Sequence, residues 1–172
     1  MLKLLGVLLV VAGGGLAGLA VARRYARRPA ELRQLQSALQ MLETEITYAS
    51  TILPDALGGV ASRCDRSVAV LFTAAREELL SMQGDTAAEA WEKALLRFYP
   101  DSNLTSADLA VLRTLGGVLG ISDGRDQAKH LSLAREQLQS QIARADRDAA
   151  GNVKLWSYLG FLGALAVVIL IY

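Results

Sequence analysis

Two uncharged runs, one at each end of the chain, most constrain what it can fold into. Residues 4–22, LLGVLLVVAGGGLAGLAVA, and residues 155–172, LWSYLGFLGALAVVILIY, hold no charged side chain. A helix rises about 1.5 Å per residue, so each run approaches the roughly 20 residues that cross a bilayer core. The expected organisation is a transmembrane helix over 1–23, a water-facing domain over 24–154 and a second transmembrane helix over 155–172. The middle segment is long enough to close one core of its own.

Basic residues set the expected orientation. Arg23, Arg24, Arg27 and Arg28 follow the first run, whereas only Lys3 and the terminal amine lie at its start, and Lys154 stands just before the second run. Basic flanks stay on the cytosolic side, which predicts a multi-pass protein of the cell membrane with its domain in the cytosol and both chain ends outward. A cleaved signal peptide is the other reading of the first run, because Ala20 and Ala22 would suit a signal peptidase; export would then drag four arginines across. Trp156 and Tyr158 sit where an interfacial aromatic belt belongs. Gly14 and Gly18 form a GxxxG pair, a candidate site for close membrane-helix packing, and Gly160 with Ala164 offers a similar face.

Between the runs the periodicity is helical. Pro29 suits a first helical turn, and Leu32, Leu35, Leu39, Leu42, Ile46 and Ala49 follow three and four apart, with Glu43 and Glu45 at the flanks of that seam. Pro54 opens a brief second helix through Ala56, Leu57 and Val60. The third runs from about Ser67 to Met82, burying Val68, Leu71, Phe72, Ala75 and Leu79, with Gly84 as its carboxyl-terminal cap. Thr86 with Glu89 three residues on is a capping box for a fourth helix, which packs Trp91, Ala94, Leu95 and Phe98 and stops at Pro100. Thr105 or Ser106, with Asp108 in the first turn, opens a fifth, with Leu109, Leu112, Leu115 and Leu119 inward. Gly116, Gly117 and Gly120 there read as close helix contact or a bend. A sixth starts near Ser122 and Asp123 and carries Leu131, Leu138, Ile142, Ala145 and Ala149 to a joint at Gly151 and Asn152. No run alternates with period two in β-branched or aromatic residues, so no sheet is expected. The fold class is all-α: a six-helix bundle flanked by an N-terminal and a C-terminal transmembrane helix.

The residues offer little to enzymatic chemistry. Cys64 is the lone cysteine, which forbids an internal disulfide and reads as a small buried hydrophobe. His130 is the lone histidine, so no paired-histidine metal site can form, and no serine lies in a GxSxG elbow. GGGLAG at 13–18 has no strand before it and no Gly-Lys-Ser or Gly-Lys-Thr after it. The expectation is therefore a protein that is not an enzyme, with no catalytic residues, cofactor, metal or small-molecule substrate. The charged middle shows no basic excess along one element, which argues against nucleic acid. A hydrolase built on paired carboxylates would need two that converge in a pocket, and no recognisable spacing supplies them. The polar clusters that remain are Glu43 with Glu45 and the stretch SDGRDQAKH at 122–130. Either Asp123 and Asp126 simply favour the helix dipole and the glutamates line a solvated flank, or both clusters meet a basic partner.

Taken together these segments resemble the family of stage III sporulation protein AB. The stretch RPAELRQLQSALQMLETEITYASTILPDAL, 28–57, and LGISDGRDQAKHL, 119–131, carry the resemblance, and similar length with an apolar run at each end extends it over the whole chain. The resemblance implies a bundle like the cytoplasmic domains of type II secretion F proteins. It implies a place in the mother-cell membrane around the forespore, in a channel or secretion-like complex. The implied partner is the operon's secretion-type ATPase, stage III sporulation protein AA, with contacts expected around Glu43, Glu45, Tyr48, Asp123, Asp126 and Gln127. The alternative is a general membrane-anchored helical adaptor that associates with itself.

Overall fold

The chain begins with one long helix, α1 (Leu2–Thr47), followed by α2 (Leu53–Ala61), α3 (Arg66–Leu80) and α4 (Ala87–Phe98). A single 3-10 turn (Tyr99–Asp101), α5 (Ser106–Gly116) and a second long helix, α6 (Gly124–Ile171), complete it. This computed structural model describes the backbone of residues 2–49, 51–81, 84–120 and 124–171, and among them no strand occurs. The all-helical expectation holds.

Two expected breaks are absent. Pro29 lies inside α1 and is not its first turn. A proline within a helix forfeits one backbone hydrogen bond and crowds the preceding turn, at about 3 kcal/mol. Here the residues beside it are packed: Arg28, Glu31 and Leu32 are all buried, and Arg28 donates to Asp148 at 3.3 Å. The joint expected at Gly151 and Asn152 is likewise helical, within α6. Glycine costs a helix about 1 kcal/mol and asparagine less, too little to stop one already formed on both sides.

Among the described residues no helix is long and apolar enough to cross a membrane. Many side chains of the two expected spans, including those of 2–11 and 167–171, lie outside the described residues.

The chain divides into two units, Ala30–Ile142 and the pair of segments Met1–Pro29 and Ala143–Tyr172. The core of the first collects one face of each helix. Leu32, Leu35, Leu39 and Leu42 of α1 are fully buried, as the spacing predicts, but the seam fades outward: Ile46 is half-buried and Ala49 exposed. Leu79, in the last turn of α3, is also only half-buried. Phe72 meets Trp91 edge to face at 5.8 Å between ring centroids, and the indole N–H of Trp91 donates to the Leu112 carbonyl at 2.8 Å. Two buried carboxylates of this unit are partnered. Glu31 of α1 accepts from the backbone and side-chain amides of Asn103 at 2.9 and 2.8 Å, anchoring the approach to α5. Asp108, fully buried, closes a capping box with Thr105.

Candidate functional site

The two stretches singled out as partner contacts are brought together at one end of the Ala30–Ile142 unit. A Cβ placed on Gly124, the first residue of α6, would lie 3.7 Å from the Ile46 carbonyl and 3.8 Å from its Cγ2. The last turns of α1 and the first turn of α6 therefore touch. The two connections that flank this contact also approach. Gly120 has φ +75°, in the left-handed region that glycine alone adopts freely, and a Cβ there would lie 2.7 Å from Ala87 Cβ and 3.8 Å from Leu53 Cδ2. At Gly120 the chain is thus seated against the starts of α2 and α4.

Each candidate side chain has a definite setting. The Glu43 carboxylate accepts from Arg135 Nη1 at 2.7 Å, tying α1 to α6. Gln36 reinforces that pairing through the Arg135 carbonyl at 3.2 Å and Gln139 at 2.9 Å. The Glu45 carboxylate pairs with Arg63 and accepts from the Thr51 hydroxyl at 3.3 Å, and the hydrogen bond from Arg63 holds its carboxyl below the usual range. Tyr48 is 84% exposed and Gln127 half-buried. Asp126 pairs with Lys129 at 2.9 Å, which keeps its carboxyl low. Asp123 lies outside the described residues.

Each of these carboxylates is already matched to a cation, Glu43 to Arg135, Glu45 to Arg63 and Asp126 to Lys129. Sequence reasoning missed Ile52, 67% exposed beside Tyr48's end of α1. It stands two residues before Pro54, a position that gives no sign of exposure. The wider field was missed as well. The unit Ala30–Ile142 carries fifteen acidic and ten basic residues, so the near-neutral balance of 24–154 hides an acidic domain once the arginines before Ala30 are set apart.

The remaining reactive groups stand apart. Cys64 is half-buried, not buried; its thiol donates to the Val60 carbonyl at 2.9 Å, and burial pushes its pKa up, which keeps it a neutral thiol. His130 is exposed on a shallow cleft between α5 and α6, with Thr114 and Gln137 as its polar neighbours there. Among the described residues no three His, Cys, Asp or Glu side chains gather as a metal site would require. Of the membrane-packing pair, Gly14 is half-buried and Gly18 buried.

Comparison with known proteins gives a consistent result. A family model described as stage III sporulation protein AB matches residues 3–172. The stage III sporulation protein AB of Bacillus subtilis (strain 168) is 37% identical over 171 residues, 99% of each chain. A solved structure of stage III sporulation protein AB (SpoIIIAB) superposes with a TM-score of 0.66 at 36% identity, covering 72% of this chain and 96% of its own.

Proposed function

Because this chain belongs to the stage III sporulation protein AB family, we propose that it is a non-enzymatic platform subunit of a sporulation channel or secretion-like complex between mother cell and forespore. In this reading its two apolar ends cross the mother-cell membrane, and the domain of 24–154 faces the cytosol and docks a secretion-type ATPase, stage III sporulation protein AA. Supporting the anchors are the uncharged runs at 4–22 and 155–172 and the arginines that follow the first.

The observation that carries docking is the junction of α1 with α6. There the acidic unit presents an uncovered aromatic and an uncovered aliphatic side chain, Tyr48 and Ile52, beside paired carboxylates. Aromatic anchors ringed by polar groups are the usual centre of a protein interface. Glu43 and Glu45 act there through their ion pairs, which fix the ends of the helices; Asp126 and Gln127 supply polar rim.

Full-length protein, tagged and extracted from membranes, should retain the ATPase. Tyr48→Ala with Asp126→Arg should reduce that retention at least tenfold, while Leu96→Ala, at an exposed site on α4, should leave it unchanged. Undiminished retention by the double variant would remove this surface from the interface.

A further inference from the structure

The formal charge of +1 conceals a segregation. The unit made of Met1–Pro29 and Ala143–Tyr172 holds eight basic residues and two acidic ones, the reverse of the other unit's acidic excess. Half of those basic residues stand in the six positions 23–28. Arg28 is buried and held by Asp148. Arg23, Arg24 and Arg27 are exposed, and among the described residues no carboxylate pairs with any of them. Elsewhere Arg63, Arg97, Arg113 and Arg135 each hold a carboxylate.

Spacing places the three within about 100° of arc on one side of α1, because at about 3.6 residues per turn Arg27 lies about 40° and Arg24 about 100° round from Arg23. That face continues downward into apolar surface: Leu16 is 66% and Leu19 42% exposed, seven and four residues before Arg23. Along the axis, Leu16 to Arg23 is about 10 Å and Arg23 to Arg27 about 6 Å at 1.5 Å per residue. One face therefore offers uncovered aliphatic side chains and then, one stratum higher, three uncompensated guanidinium groups. That succession matches a phospholipid leaflet, acyl chains below and phosphates above. Guanidinium suits phosphate in particular, since its planar fork donates two parallel hydrogen bonds to a pair of oxygens.

We propose that Arg23, Arg24 and Arg27 form a collar that binds the phosphates of anionic phospholipids. A zwitterionic headgroup offers the same phosphate but cancels its charge, so the surplus positive charge selects the anionic lipid. The proposal rests on the membrane-anchored reading above. The four arginines then divide into two roles, Arg28 tying α1 to α6 through Asp148 while the other three face the lipid.

The test uses the full chain in mixed micelles of phosphatidylglycerol and phosphatidylcholine, with retained lipid read by native mass spectrometry. The expected result is selective retention of phosphatidylglycerol, weakened roughly fivefold for each arginine changed to glutamine. The triple variant Arg23→Gln, Arg24→Gln, Arg27→Gln should lose the preference, and the corresponding triple lysine variant should keep most of it. Arg66→Gln, Arg76→Gln, Arg125→Gln, which removes the same charge from the other unit, should retain it fully. Equal retention of both lipids, or a preference that survives the triple glutamine variant, overturns the proposal. Displacement of the lipid by millimolar inorganic phosphate also overturns it, because the site would then be one for free phosphate. Carbonate extraction of cell membranes separates the two readings: release of the chain defeats the anchoring and this proposal together, whereas an integral chain without lipid preference defeats this proposal alone.

Discussion

Thr86 and Glu89 close the start of α4 reciprocally. The Thr86 backbone N–H and hydroxyl donate to Glu89 Oε2 at 2.8 and 2.9 Å, and the Glu89 N–H donates to the Thr86 hydroxyl oxygen at 3.3 Å. The bond from the Thr86 backbone, with that from its hydroxyl second, holds the Glu89 carboxyl below its usual range. A carboxyl whose pKa is lower folded than unfolded stabilises the fold above the unfolded value and ceases to as pH falls through the folded one. Glutamine at 89 can still cap but cannot titrate. Thermal unfolding of Glu89→Gln should therefore match the parent most closely at pH 2–3 and fall below it as pH rises past about 5. A constant offset across that range would show that the charge of Glu89 contributes nothing. This cap was legible in the sequence, because its partners are three residues apart and no distant packing is needed to make it.

At the scale of elements, α4 and α5 approach closely at Gly116. A Cβ on Gly116 would overlap Trp91 Cδ1, and the indole cannot yield freely: its N–H is held by the Leu112 carbonyl and its ring by the edge of Phe72. Alanine would gain at most about 1 kcal/mol of helix propensity at that position, whereas overpacking a core costs about 1–3 kcal/mol. Gly116→Ala should therefore destabilise the full chain by up to about 2 kcal/mol on these figures, measured by denaturant unfolding in detergent. The cost should shrink in a Trp91→Phe background, and an undiminished cost there would place its origin elsewhere. The sequence reading of Gly116, Gly117 and Gly120 as close helix contact or a bend holds at Gly116, which meets Trp91, and at Gly120, whose φ is +75°. The same reading erred at Pro29, Gly151 and Asn152, where local punctuation suggested ends that α1 and α6 pass through. Helix-breaking residues act over a single turn, and a helix of 46 or 48 residues has enough bonds on either side to absorb one. Leu32, Leu35, Leu39 and Leu42 were found from spacing alone because burial on α1 follows the helical period.

For the whole molecule, what spacing could not reveal was juxtaposition. Glu43 and Arg135 are 92 positions apart in sequence, and only the antiparallel meeting of α1 with α6, which also sets Gly124 against Ile46, makes them partners. The exposure of Ile52 and the division of charge between the two units depend equally on how the chain folds. Together they give the proposed platform two chemically distinct parts, one basic and apolar for the bilayer and one acidic with an aromatic anchor for a partner. The most direct test of that claim is photocrosslinking in membranes of sporulating cells, with a benzophenone amino acid replacing Tyr48 in the full chain. A parallel sample carries it at Val70, an exposed site on α3, whose start meets Gln34 on the middle of α1. A docking platform predicts a crosslink to the secretion-type ATPase from position 48 and none from position 70; a crosslink from 70 alone, or none from 48 while the ATPase is present at the membrane, would contradict it.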